Sequence, residues 1–155
     1  HPYLLKGLNI NRPNQVWELD ITYIPMEKGF MYLPAIIDVY SRAIMGWGLS
    51  NTLDAVASLE VVKQAIDNYG KPEILNSDQG SQFTCLAYID LLKAQGIKIS
   101  MDGKGRALDN IYIERFWRTI KYQYIYLNPA RDGISLYLGI KKRQERYYNK
   151  KSSRH

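Results

Sequence analysis

Between Val16 and Leu49 the chain runs through three apolar segments joined by turns too short to hold a helix, which confines this stretch to antiparallel pairing. The first segment, Val16 to Ile24, is rich in β-branched and aromatic residues and is closed by Pro25. The tripeptide EKG at 27–29 turns the chain into a second strand, about Met31 to Asp38. SRA turns it again into a third, Ile44 to Leu49. Three strands in succession predict a meander.

Beyond Leu49 the periodicity changes. Thr52 is a suitable N-cap for a helix in which Val56, Leu59, Val62, Ala65, Ile66 and Tyr69 recur at helical spacing before Gly70. PEILNSD predicts a short strand running into Asp78. Gln82 to Gln95 predicts one helix, with Phe83, Leu86, Ile89, Leu91 and Leu92 inside and Cys85 a small core residue within it. IKIS predicts the fifth strand. The Gly- and charge-rich segment 102–110 reads as a loop before a long helix, from Ala107 or Asp109 to Tyr126, stopped by Asn128–Pro129. A last helix spans about Gly133 to Tyr148. The order βββαβαβαα predicts an α/β fold: a five-stranded mixed sheet with helices on both faces. Residues 1–14 form a lead-in, 15–150 one core, and 151–155 a tail.

A length of 155 residues and 46% hydrophobic content fit one globular domain. No apolar run approaches the roughly 20 residues that span a bilayer, so no membrane role is expected. The single cysteine, Cys85, excludes an intrachain disulfide and a Cys-cluster zinc site, and fits a cytosolic compartment. Two histidines at opposite ends exclude a His-rich metal site. The chain opens on His1, which points to a missing N-terminal part. The +6 net charge is concentrated at one end. Residues 1–103 carry 8 Lys/Arg against 11 Asp/Glu, whereas residues 104–155 carry 13 against 4. This asymmetry fits a polyanionic partner for the C-terminal third or a solvated basic helix face, and interleaved aromatic residues such as Phe116 and Trp117 favour the partner.

Three carboxylates stand in three settings that phosphodiester chemistry on divalent ions would use. Asp20 lies mid-strand between Leu19 and Ile21, on the opposite face from both. Asp78 follows a short buried strand, with Gly80 letting the backbone turn away. Glu114 sits on the long helix, on a polar stripe with Asn110, Arg118 and Lys121, beside an apolar stripe of Ile113, Phe116, Trp117, Ile120 and Tyr124. A carboxylate there could bind metal while the cations track phosphates. Each acid also has a structural alternative. Asp20 could bond to backbone, Asp78 could be a turn former, and Glu114 could pair with Arg118 four residues on. The joint occurrence of all three favours a site. Asp38, Asp54, Asp102 and Asp109 take structural defaults: strand end, first-turn helix charge, loop, and loop or helix cap.

The order of elements, the 35 residues between Asp78 and Glu114, the SDQGSQF segment, the DN four residues before Glu114 and Lys121 seven residues after it form one combination. On these features, nearly all of residues 10–150 resembles the integrase core of DDE transposases, most closely the second-frame transposases of bacterial insertion sequences of the "three" group, relatives of retroviral integrases. The resemblance implies an RNase H-like fold and two Mg²⁺ (or Mn²⁺) ions held by Asp20, Asp78 and Glu114. It implies DNA as partner (element ends and target), cleavage at those ends and transfer of the freed 3′-OH to target DNA. Lys121, Arg118, Asn110 and Gln82 would contact DNA near the scissile phosphate. A homo-oligomer in the synaptic complex and a bacterial, nucleoid-associated setting are also implied. No zinc module or helix-turn-helix precedes the core, so recognition of the element's own ends is not expected within this piece. The C-terminal YYNKKSSRH lacks the proline of the family's usual ending, and His155 is assigned no role. An RNase H-like nuclease without strand transfer and a catalytically silent DNA-binding or assembly module are the alternative functions.

Overall fold

β1 (Val16–Pro25) sorts its side chains to two faces by strand alternation: Trp17, Leu19 and Ile21 to one, Glu18, Asp20, Thr22 and Ile24 to the other. β2 (Phe30–Asp38) pairs with it antiparallel, from Trp17 opposite Asp38 to Pro25 opposite Phe30. β3 (Ile44–Trp47) pairs antiparallel with β2, with a register shift between Ile36 and Ile37. On the other side of β1, β4 (Ile74–Ser77) runs parallel, and β5 (Lys98–Met101) runs parallel to β4. The sheet order β3-β2-β1-β4-β5 makes β1 the central strand. In this computed structural model residues 1–102, 111–121 and 130–152 are described. The five-stranded mixed sheet that opens as a meander is the one the sequence predicts.

Helices cover both faces. α1 (Ala55–Tyr69) and α3 (Leu86–Ala94) pack on Trp17, Leu19, Ile36 and Leu75. α4 (Ile111–Ile120) and α5 (Gly133–Ser152) pack on Ile24, Leu33, Ala35 and Ile37. Parallel β1–β4 pairing needs a crossover, and α1 supplies it. Close approach of α1 to β3 depends on Gly46, where a Cβ would sit 3.2 Å from the Val61 carbonyl oxygen and 3.3 Å from the Ala65 Cβ. Residues before β1 also join the core, with Leu5 packed against Val16 and Ile74.

Several local expectations are corrected. Asp54, not Thr52, caps α1: its Oδ1 accepts from the Val56 N–H at 3.1 Å, while the Thr52 hydroxyl donates to Oδ2 at 2.9 Å. The buried stripe of α1 is Ser58, Val61, Val62 and Ala65, and Val56 and Tyr69 are exposed. The segment 82–95 is two helices, α2 (Ser81–Thr84) and α3, broken at an extended Cys85, which is half-buried rather than a helical core residue. In one continuous helix Phe83 and Tyr88 would point about 140° apart. The break lets both rings enter the same core, their centroids 5.4 Å apart, and turns Leu86 out to solvent. β3 stops two residues early, although Ser50 still bridges to Tyr32. Asp38 is the structural acid expected at the strand end, accepting from the backbone N–H groups of Asn14 and Ser41 at 2.8 Å. Asp109 and Tyr124 lie outside the described residues.

Leu19 is 1% exposed and lies between α1 and α3. Leu19→Ala is expected to cost about 2–5 kcal/mol by removing buried methyl groups and leaving a cavity. Urea unfolding would show this as a lower midpoint at unchanged slope.

Candidate active site

The polar face of β1 lies beneath α4, so that the charge of Glu114 reaches Asp20. Asp20 is half-buried opposite Ala35, and its Oδ2 accepts a 3.0 Å hydrogen bond from the Trp117 indole N–H. Burial pushes the Asp20 carboxyl up to about 6. The N–H groups of Trp117 and Ile21 hold it down, and the charges of Glu114 and Asp78 push it further up. That mutual repulsion is the signature of acids close enough to feel one another.

Asp78 is exposed just beyond the end of β4, and its Oδ1 accepts from the Gly80 N–H at 2.7 Å. The turn-forming reading of Asp78 is therefore correct locally, and it fixes the carboxylate at the strand end. A Cβ on Gly80 would lie 2.6 Å from Gln82 Nε2 and 2.9 Å from Asp78 Oδ1, so a side chain there would displace both. The Gln82 and Asp78 side chains thus sit on the same side of Gly80.

Glu114 is exposed in the first turn of α4. It makes no ion pair with Arg118, although both are described, so the surface-pair alternative fails. Ile113, Trp117 and Ile120 bury the opposite stripe. Lys121 turns toward the sheet instead of outward with Arg118. Its Nζ donates to the Thr22 hydroxyl at 2.7 Å and lies 4.8 Å from the centre of the Tyr23 ring. Desolvation lowers the Lys121 ammonium, and Glu114 and Asp20 work against that shift. Asn110 lies outside the described residues. Among the described residues, no three His, Cys, Asp or Glu side chains are drawn together tightly enough to cage an ion. The donor types nonetheless suit a hard divalent cation, which binds carboxylate oxygens, and the Asp20 carboxylate feels the charges of both Glu114 and Asp78.

Sequence reasoning missed a second acid on the same face. Glu18 is 1% exposed, two residues before Asp20, and accepts from Asn76 Nδ2 at 2.9 Å. The same amide donates to Asp102 Oδ1 at 2.9 Å, and its oxygen accepts from the Ser100 hydroxyl at 2.7 Å. Burial pushes the Glu18 carboxyl up to about 9, against the Asn76 hydrogen bond, with Asp102, Asp20 and Glu114 adding repulsion. The available signal was two acids at i and i+2 in an apolar strand.

A central strand with acids on one face, flanked by parallel and antiparallel neighbours and helices on both sides, defines the RNase H-like class. The chain belongs to the integrase core domain family, whose model matches residues 10–107. It is 37% identical over 141 residues to the transposase of insertion sequence element IS904 from Lactococcus lactis, a match covering 90% of this chain and 56% of that protein. It is 34% identical over 116 residues to the transposase InsF of insertion sequence IS3A from Escherichia coli, covering 74% and 40%. The chain thus spans about half the length of these relatives. Its fold is shared with the HTLV-2 integrase catalytic core domain solved in complex with magnesium as a dimer, at a TM-score of 0.69 and 24% identity over 85% of this chain and 84% of that one. A simian T-cell lymphotropic virus intasome, solved with the PP2A regulatory subunit B56 gamma, shares the fold at a TM-score of 0.68 and 20% identity, covering 77% and 45%.

Two consequences are measurable. Glu18 in the folded chain holds a proton that the unfolded chain releases above 4.5, so stability falls as pH rises from there toward about 9. Glu18→Gln should flatten that decline, melting higher than the parent near pH 8 and converging with it below about pH 4 in thermal melts. Trp117→Phe keeps the ring but removes the N–H that stabilises the Asp20 carboxylate. The Asp20 titration midpoint, followed by carboxyl ¹³C resonances, should then move above about 6.

Proposed function

We propose that this chain is the catalytic core of a DDE-type transposase, a polynucleotidyl transferase acting on DNA. The observation that carries the reading is membership of the integrase core family, supported by the charges of Glu114 and Asp78 both reaching the Asp20 carboxylate. Asp20, Asp78 and Glu114 would hold two Mg²⁺ or Mn²⁺ ions. Such ions, when bound, favour ionisation of the attacking oxygen and neutralise charge on the leaving one. The magnesium of the HTLV-2 integrase core supports this choice of ion.

The chain's own residues bind and orient. The Trp117 N–H holds the Asp20 Oδ2 oxygen in place. Lys121, held by Thr22 and Tyr23, sets a cation beside the carboxylates to position a DNA phosphate; Arg118, Gln82 and Asn110 would extend that contact. In the first step water attacks the phosphodiester at the element end, forming a P–O bond and releasing the 3′-OH. In the second, that 3′-oxygen attacks a target phosphodiester, forming a new P–O bond as the target's own 3′-oxygen leaves with the proton. Joining two ends to one target calls for a homo-oligomeric assembly.

A duplex bearing a 3′-OH end, incubated with Mg²⁺ and target DNA, should give joined product. Asp78→Asn should lower joining by more than about 100-fold, the scale of losing one group that stabilises transition-state charge. Cleavage without joining would instead indicate a nuclease, and binding without product a silent module.

A further inference from the structure

The hairpin of β1 and β2 runs past β4 and β5. Its pairing continues to Pro25 opposite Phe30, whereas β4 pairs with β1 only at Val16–Glu18. The two faces of this projecting end differ. On one, Ile24, Leu33, Met26 and Met31 join the core beneath α4 and α5. On the other, Tyr23, Phe30 and Tyr32 stand together, because Tyr23 is opposite Tyr32 and Phe30 lies two residues before it. Their rings meet edge to face, with centroids 6.0 Å apart for Tyr23 and Phe30 and 5.3 Å for Phe30 and Tyr32. Tyr23 is nonetheless 58% exposed and Phe30 51% exposed.

Edge-to-face packing explains why the rings touch, but cross-strand β-branched pairs would hold a hairpin without leaving aromatic surface in water. Apolar residues scattered singly on a surface need no explanation, whereas a contiguous open patch marks an interaction surface. The charge around this patch says what it meets. Lys121 Nζ lies 4.8 Å from the centre of the Tyr23 ring, and Lys28 is exposed in the turn. The turn's acid, Glu27, lies 4.0 Å from the Arg131 guanidinium. Open ring faces bordered by positive charge match a polyanion that itself carries flat rings. The patch also borders the carboxylates, since the charges of Glu114 and Asp20 both reach Lys121. Three strand residues carry β1 from Asp20 to Tyr23, a span of about 10 Å, or roughly three stacked nucleotides of one DNA strand.

We infer that Tyr23 and Phe30 form a stacking platform for unpaired bases of a DNA strand whose backbone passes Lys121. The inference rests on the DNA-acting reading above and adds which part of the DNA meets the hairpin. Inside a duplex the base faces are covered by their neighbours, so the platform selects a strand whose bases have been freed near the carboxylates. Every base has a π-face, so the platform reads no sequence. Tyr32, half-buried, supports Phe30 from behind.

The test compares binding of the chain, at constant ionic strength, to a blunt DNA duplex and to the same duplex with a short single-stranded extension carrying 2-aminopurine. The extension, placed at the 5′ or the 3′ end, should tighten binding in at least one of the two, and the bound 2-aminopurine should lose fluorescence as it stacks. Phe30→Ala should weaken binding of the extended duplex by about tenfold, the scale of one lost base–aromatic stack, and leave the blunt duplex unaffected. Phe30→Trp, which keeps an aromatic ring in the hairpin, should restore both the preference and the quenching. Leu86→Ala, which removes an exposed apolar side chain on α3, should change neither. The inference is overturned if the parent binds extended and blunt duplexes alike, or if Phe30→Ala keeps the preference. It is also overturned if Phe30→Ala abolishes self-association in sedimentation while the preference stays, because the patch then joins two copies of the chain. Blunt-duplex binding without a preference defeats the platform alone, whereas no binding to either duplex defeats the DNA-acting reading with it.

Discussion

The docking of α4 on β1 is the contact on which the rest of this molecule's chemistry depends. Ile113, Trp117 and Ile120 bury one stripe of the helix against Ile24, Leu33 and Ala35. Each such side chain contributes about 1.5–3 kcal/mol on burial, against about 0.5–1.5 kcal/mol for a net hydrogen bond. The apolar stripe therefore decides that α4 docks. The bonds Trp117–Asp20 and Lys121–Thr22 set its register, because each joins one helix position to one strand position on the polar face of β1. With that register fixed, Glu114 has only one neighbourhood to occupy.

The polar face of β1 carries the strain that this arrangement requires. A strand at the centre of a sheet would be more stable with apolar residues on both faces. Here Glu18 and Asp20 take two of those places, and both carboxyls are pushed up chiefly by burial. Protons neutralise at low pH the charge that a divalent cation would otherwise neutralise. Violations of local preference of this kind concentrate where a fold does its work. On the far flank of α4 the sign reverses, with Arg115 and Arg143 facing one cavity. The helix thus separates an acidic region from a basic one.

The meander and the sheet were legible because strand alternation and short turns are local signals. So was the placement of Asp20 opposite Leu19 and Ile21, which needs only a period of two. The two-helix break at Cys85 was not legible, since Leu86, Ile89 and Leu92 keep a helical spacing across it and only the packing of Phe83 on Tyr88 requires the break. Asp54 displaced Thr52 as cap because both are good capping residues and only geometry ranks them. The Glu18–Asn76 bond spans 58 residues, and no local pattern anticipates it. Trp117 belongs to the apolar stripe and to the interleaved aromatic residues, and neither pattern anticipates that its N–H reaches Asp20. The acids came from spacing and resemblance, whereas the groups that orient them came from the fold.

The central proposal is that Asp20, Asp78 and Glu114 together hold the divalent ions. The most direct measurement is anomalous diffraction from crystals of this chain soaked in Mn²⁺ above pH 7, where the Asp20 carboxyl is ionised. The account requires a Mn²⁺ peak contacting both Asp20 and Asp78 oxygens, lost in crystals of Asp20→Asn. A Mn²⁺ peak elsewhere with none between those two carboxylates, or a peak that persists in Asp20→Asn, would contradict it.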